Sequence, residues 1–409
     1  MKYPSFACMD YCQAQMPIPK GAKKIHKILT EAKKGTQVYV VGGAVRDYFY
    51  SQFHGDGQYS PKDVDLTTNL TEDEIIVTLN GKVRVHEKQS LNTFGVVFAH
   101  ADGQDFEIAP FRKDVGGGDG RHPDKVEQGT ILDDAARRDF TINSLYYDIE
   151  SEMVIDFNGG VEDIRNRRIR TVGDPFCRFD EDKLRILRMI RFFTRYNPDS
   201  ILEHIDVRML GAVKKFANIR SYLGISSERI VTEFLAGLQQ CLSPVKYLES
   251  YQVLGLMETV FPGMTVDISG INTRNPKVAL AAMLLNEAKP SQILNELKYP
   301  GEISDNVQFL RNVCHLDPKD ATSILRTRAF RFASQENTED LREMAKVVKC
   351  PEQQLILNHL ADNVPFWPPA EPLLAIGLVG PEIGKRQREQ AQEWYTATLE
   401  NYRIADGLP

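Results

Sequence analysis

Residues 38–66 read VYVVGGAVRDYFYSQFHGDGQYSPKDVDL, and the order of the parts within them decides the fold. Val38-Tyr39-Val40-Val41 is an apolar, β-branched and aromatic run of the kind that forms a buried strand. Gly42-Gly43 then permits a sharp turn and close approach to a ligand, because neither residue carries a Cβ. Residues 44–49, AVRDYF, read as a helix leaving that turn, so free N–H groups and Arg46 face whatever sits at the glycines. Asp63-Val64-Asp65-Leu66 follows, with two carboxylates two residues apart. On an extended strand both point to one face, which is the geometry a divalent cation needs. Gly-Gly or Asp-x-Asp alone is commonplace. In the order strand, Gly-Gly, arginine-bearing helix and Asp-x-Asp, they point to one site for a nucleoside triphosphate and a metal.

Working outward, residues 22–34 form an expected amphipathic helix with Ile25, Ile28 and Leu29 inward and its lysines solvated. Thr71 followed by Glu72-Asp73-Glu74 is an N-cap with an acidic first turn, opening a helix to Leu79. Short alternating strands are expected at 83–85, 95–98 and 106–108, with Gly or Asp-Gly turns between them. The result is a small α+β head with a mixed sheet. In residues 104–108, QDFEI, Asp105 and Glu107 share a face, and either could supply a third carboxylate to a two-metal site or be solvated. Residues 112–134 are polar and turn-rich, and Gly116-Gly117-Gly118 marks a mobile loop. Residues 136–145, ARRDFTINSL, set Arg138 and Asp139 against an apolar run that holds them rigidly. A fixed arginine and aspartate can hydrogen-bond ribose hydroxyls.

The second informative stretch is 179–192, FDEDKLRILRMIRF. On a helical wheel Ile186, Leu187, Met189, Ile190 and Phe193 share one arc, and Arg185, Arg188, Arg191 and Arg195 fill most of the opposite one. A polar face built almost wholly of arginine calls for an anion such as a triphosphate or RNA phosphates. A salt-bridged surface helix is the plainer alternative. Beyond 201 the chain reads as helical, with breaks near Pro276, Pro290, Pro300 and Pro318.

With GGAVRD and DVDL in hand, the chain resembles the nucleotidyltransferase superfamily, in its branch of class II tRNA nucleotidyltransferases (CCA-adding) and bacterial poly(A) polymerases. The link between the two motifs is longer here than in that branch. The resemblance extends to FEI at 106–108, where it favours Glu107 over Asp105 as the third acid, and to DGRHP at 119–123, similar to the family's flexible loop. It also covers the RRDFTIN-type segment at 137–143, the hinge-like DFNGGVEDI at 156–164, the EDxxR motif at 181–185 and ISSERIVTEF at 225–234. It implies that Asp63, Asp65 and Glu107 hold two Mg²⁺ ions and are catalytic. Gly42, Gly43, Arg46, Arg188 and Arg191 would then bind nucleotide phosphates, Arg138 and Asp139 the ribose, and Asp182 and Arg185 the base.

That last role can be argued from hydrogen-bond inventory. Residues three apart on a helix are neighbours. Ionised aspartate only accepts and arginine only donates. Cytosine and adenine present an amine donor beside a ring-nitrogen acceptor, whereas guanine and uracil present an oxygen beside an N–H. One Asp182/Arg185 pair therefore accepts C and A and mismatches G and U, at about 1–3 kcal/mol per buried unsatisfied group.

At 409 residues, with 42% hydrophobic and 26% charged residues, the chain has room for several modules of a soluble globular protein. A formal charge of −6 confines any polyanion site to a local patch. Six cysteines without a Cys-x-x-Cys pair read as reduced thiols, and no segment reads as a leader or a membrane span, so a cytoplasmic protein is expected. The expected architecture is an α+β nucleotidyltransferase head (1–150) followed by an all-α neck (151–235), body (236–361) and tail (362–409). The expected activity is template-independent addition of CMP and AMP, from CTP and ATP, to the 3′ end of tRNA, with no protein partner implied. A poly(A) polymerase or a CC-only or A-only enzyme is the near alternative. A catalytically silent RNA-binding protein is a further one, disfavoured by the presence of both Asp63 and Asp65.

Overall fold

The computed structural model describes residues 10–61, 63–86, 95–116, 125–216, 225–326, 335–363 and 367–405. The chain divides into two compact units, 1–225 and 226–409, so the division falls within the segment expected as the neck.

In the first unit the order is β1 (Asp10–Gln13), α1 (Lys20–Ala32), β2 (Val38–Val41), α2 (Gly43–His54), β3 (Asp65–Thr68), α3 (Glu72–Leu79), β4 (Arg84–Val85), β5 (Val97–Ala101), β6 (Gln104–Pro110), β7 (Arg112–Val115), β8 (Lys125–Gln128), α4 (Ile131–Arg137), β9 (Leu145–Asp148), β10 (Met153–Asp156), α5 (Gly160–Arg165), α6 (Pro175–Glu181) and α7 (Leu184–Tyr196). Among the described residues eight strands make one mixed sheet in the order β1-β10-β9-β2-β3-β6-β5-β4. Neighbours run antiparallel except β3 and β6, which are parallel. The expected α+β head is this sheet and the helices around it, but β10 carries the sheet past residue 150 into the segment expected as an all-α neck.

Local signals explain several elements. Thr71 and Glu74 form a complete capping box at α3. Helix α1 buries Ile25 and Leu29 and starts two residues earlier than expected, after Pro19. It packs hard on the sheet: a Cβ on Gly21 would lie 2.5 Å from the Ala101 carbonyl oxygen and 2.6 Å from the Phe106 ring. The long link between the glycines and the acids is partly helix, since α2 runs to His54. The Tyr59 hydroxyl then donates to the Ala44 carbonyl at 2.7 Å, tying the connection back to the first turn of α2.

The stretch expected as a loop from 112 to 134 is instead a two-stranded sheet, β7 against β8, followed by α4. A second capping box, Thr130 with Asp133, starts that helix inside a stretch whose polarity reads as loop. Gly117, Gly118 and the DGRHP segment lie outside the described residues.

The second unit is helical. Its longer helices are Ser227–Gln240, Pro244–Val253, Gly301–Cys314, Gln335–Val347, Pro351–Asp362 and Pro381–Ala405. Pro244, Pro276, Pro290 and Pro351 each begin a helix, because proline's fixed φ suits the first turn and its missing N–H costs nothing there. Phe234, Tyr247, Tyr251 and Phe261 form a buried aromatic cluster, in which the Tyr247 hydroxyl donates to the Phe234 carbonyl. Among the described residues no helix is long and apolar enough to cross a membrane.

Candidate active site

The sheet register assembles the site. Val41, the last residue of β2, pairs with Asp65 at the start of β3. Leu66 pairs with Ile108 on β6, which sets Glu107 level with Asp65. Leu66 and Ile108 are buried, so the preceding acids occupy the opposite, open face. Asp63 lies just before β3 rather than on it. The Asp65 side chain is accessible but set among protein atoms. That desolvation raises its pKa, the Arg138 charge works against the rise, and Asp63 adds to it. Glu107 is likewise pushed up, first by desolvation and then by the charges of Asp65 and Asp63. Three oxygen-ligand side chains whose charges oppose one another are a donor set for hard divalent cations. Their oxygens are not drawn together as a single-ion site would draw them. Among the described residues only His86, His100 and Asp105 form a trio of possible ligand atoms within 4.8 Å. Asp105 is therefore engaged with two imidazoles and Glu107 is the acid beside Asp65.

The turn beside these acids needs glycine. Gly42 has φ +72°, and its N–H donates to the Leu145 carbonyl at 3.2 Å. Gly43 opens the 12-residue helix α2. A Cβ would meet Arg138 Nη1 at 3.5 Å from Gly42 and Arg46 Nη2 at 3.6 Å from Gly43, so two guanidiniums border the turn.

Arg46 is only 6% exposed. Its Nε donates to the Tyr196 hydroxyl at 2.6 Å and to Asp47 Oδ1 at 2.9 Å, and Nη1 donates to Asn143 Oδ1 at 2.6 Å. Its guanidinium also lies over the Phe192 ring. Arg46 therefore ties α2 to α7 from below the turn. Burial would raise the Asp47 carboxyl, but the Arg46 and Arg195 charges hold it below its usual range.

Arg138 and Asp139 are anchored separately. Arg138 donates to Asp134 Oδ2 (Nη2, 2.9 Å) and to the Tyr146 hydroxyl (Nε, 3.1 Å). Asp134 is fully buried and also takes Arg137 at 2.5 Å; these cations overcome the effect of burial and depress its carboxyl to about 2. Asp139 accepts from the Phe140 N–H, Asn143 and Arg188 Nε at 2.8–2.9 Å. Burial alone would raise its carboxyl, yet Arg188, with Asn143, holds it at about 2.

Two expectations about the arginine helix are corrected. Asp182 and Arg185 do not share one continuous helix. Helix α6 ends at Glu181, Asp182 is extended at φ −149°, and α7 begins at Leu184. The Asp182 carboxylate accepts the Leu184 N–H at 3.1 Å, the local side-chain-to-backbone bond that starts a new helix. The arginine face, read as calling for an anion, meets carboxylates of this same chain, as in the salt-bridged alternative. Arg185 donates to Glu181 at 2.8 Å, Arg188 to Asp139 and Arg195 to Asp47, while Arg191 lies over Phe192. Arg178 completes this wall, donating to the Arg138 carbonyl and to Glu181, both at 2.6 Å. Asp47, Asp134, Asn143, Arg178 and Tyr196 were missed in the sequence. Asp47 stands inside the quoted GGAVRD, but nothing local distinguishes a half-buried ion-pair acid from a solvated one.

The Poly A polymerase head domain family matches residues 38–170. The CCA-adding enzyme of Enterococcus faecalis is 31% identical over 307 residues, covering 72% of this chain and 70% of that protein. The CCA-adding enzyme of Bacillus pumilus is 35% identical over 217 residues, covering 53% of this chain and 50% of that protein. Against several such curated relatives the matched stretch spans about half their length. The solved Bacillus stearothermophilus CCA-adding enzyme in complex with CTP superimposes with a TM-score of 0.66 at 20% identity, covering 95% of this chain and all of that one, a likeness of fold.

Proposed function

Because the chain belongs to the family of CCA-adding enzymes, we propose that it adds CMP and AMP, from CTP and ATP, to the 3′ end of tRNA without a nucleic-acid template. The RNA 3′ oxygen attacks the nucleotide α-phosphorus, the bond to the β-phosphate oxygen breaks, and pyrophosphate leaves in line. The observation that carries this reading is the register that brings Asp65 and Glu107 beside the Gly42-Gly43 turn. When bound, divalent cations, which we assign as Mg²⁺, stabilise the triphosphate charge and make the 3′ hydroxyl more acidic. Asp63, Asp65 and Glu107 would hold them.

Around that centre each side chain has a defined task. Gly42 and Gly43 allow the phosphates to approach the backbone at the start of α2. Arg46 works from below, holding that turn against α7. Arg188 and Arg191, around the same Phe192 ring as Arg46, supply positive charge. Arg138 and Asp139, fixed by Asp134 and Arg188, border the ribose and favour ribonucleotides. Asp182 and Arg185, at the α6–α7 junction, read the Watson–Crick edge of C and A. The helical remainder, 236–409, would hold the body of the tRNA. The matched head is named for poly(A) polymerases, and that activity is the second reading.

Asp63→Ala and Asp65→Ala test the assignment. Each should lower nucleotide addition to tRNA by at least about a thousandfold, the scale expected when transition-state charge loses its main support. Circular dichroism should stay native. Activity near wild type in either variant would remove the carboxylate pair from the reaction.

A further inference from the structure

We propose that His86, His100 and Asp105 form a second metal site, distinct from the carboxylate centre and suited to Zn²⁺. His100 on β5 pairs directly across from Asp105 on β6. The His86 backbone N–H, just past the edge strand β4, donates to the Phe98 carbonyl at 2.9 Å. Side chains opposite one another on neighbouring strands share a face, so the three meet on the open side of the sheet. His100 Nδ1 lies 2.8 Å and His86 Nε2 3.3 Å from the same oxygen, Asp105 Oδ1. All three ligand atoms lie within 4.8 Å of one another. A tetrahedral zinc ion with bonds of about 2.0–2.1 Å sets its ligands about 3.3 Å apart, so small side-chain movements complete the geometry.

Ligand chemistry separates this site from the carboxylate one. Two imidazole nitrogens and one carboxylate favour Zn²⁺ and its neighbours, whereas Mg²⁺ requires oxygen ligands. The side chains of His86, His100 and Asp105 are 35%, 41% and 70% exposed, so an ion can enter from solvent and keep water in its fourth position. Asp105 and Glu107 are alternate residues of β6, about 7 Å apart along the strand. Zinc at Asp105 would thus join the two-residue edge strand β4 to β5 and β6 beside the third carboxylate. Nothing in this inference depends on nucleotidyl transfer.

The test is a Zn²⁺ titration of the full chain against a chromogenic chelator, with wild type, His86→Ala, His100→Ala and Asp63→Ala, and Co²⁺ absorption as a second readout. Cys177 and Cys350 are exposed and remain in every variant, and a thiolate would reveal itself by an intense near-ultraviolet Co²⁺ band. Titrated in excess Mg²⁺, which fills the carboxylate centre, wild type and Asp63→Ala should bind one equivalent with the weaker visible bands of nitrogen and oxygen ligands. Each histidine variant, native by circular dichroism, should bind at least about tenfold more weakly. Zn²⁺ should raise the melting temperature of wild type and not of the histidine variants. Equal affinity in all four proteins, loss only in Asp63→Ala, or a thiolate spectrum would each overturn the proposal. Should one histidine variant misfold, His100→Asn, which keeps a polar side chain of similar reach, decides the matter by the same measure.

Discussion

Replacing Asp134 by asparagine removes a charge the sequence does not mark and the structure makes central. The carboxylate is fully buried and receives Arg137, Arg138 and the Tyr146 hydroxyl. Holding a carboxylate at about 2 rather than its ordinary 3.8 is worth on the order of 2 kcal/mol of folding free energy at neutral pH. Removing one member of a buried ion pair costs about 3–5 kcal/mol by mutation, somewhat more because a charge is left behind. Arg137 and Arg138 are partly exposed and can recover some solvation, so we take the lower figure. For a unit of this size about 2 kcal/mol lowers the melting temperature by about 4–8 °C. The sign with pH follows from the depressed carboxyl. Its stabilisation is fully present above the unfolded-state value near 3.8 and is lost as pH falls through about 2. The gap in melting temperature between wild type and Asp134→Asn should therefore be full at pH 7 and narrow between pH 4 and pH 2. Arg138, released from its anchor, should also raise the KM for CTP. Thermal melts by far-ultraviolet circular dichroism across that pH range, with CTP kinetics at pH 7.5, make the measurement. A gap below 2 °C at pH 7, or one that does not change with pH, would show that the Asp134 charge does not stabilise the fold.

Two further outcomes follow. Desolvation and the charges of Asp65 and Asp63 raise Glu107, so it protonates earlier than an ordinary glutamate as pH falls; activity at limiting Mg²⁺ should drop on that acid limb and recover with excess Mg²⁺, and a limb indifferent to Mg²⁺ would remove Glu107 from the metal set. Asp182→Ala should reduce the kcat/KM preference for CTP over UTP by about ten- to a hundredfold, the worth of one or two hydrogen bonds; an unchanged ratio with lower activity would make Asp182 a structural acid, as its bond to the Leu184 N–H suits.

What the sequence made legible was local. The strand, Gly-Gly turn and helix at 38–49 and the cap at Thr71 depend on residues within a few positions of one another, and they appear as expected. The pairing of Asp65 with Val41 is nearly local as well, since β3 is the next strand after β2. What could not be read were partners brought from far along the chain. Arg195 and Asp47 are 148 residues apart, Arg46 and Asn143 are 97 apart, and Arg188 and Asp139 are 49 apart. Viewed alone, the arginine face of α7 lacks acids, because those acids come from α2, from the segment after α4 and, for Arg185, from the end of α6. The helix break at Asp182 was hidden for another reason. The residues from Phe179 to Phe193 keep helical periodicity across it, and only the side-chain bond from Asp182 to the Leu184 N–H ends one helix and begins the next.

We propose that one site adds C twice and A once and then stops. Its most direct test is to incubate the protein and Mg²⁺ with tRNA lacking its 3′ CCA, supplying labelled CTP alone, labelled ATP alone, and both together, and to resolve products at single-nucleotide length. CTP alone should give two added residues, ATP alone none, and the mixture a product three nucleotides longer ending in A. A ladder of adenylates from ATP alone would contradict the claim and make the protein a poly(A) polymerase.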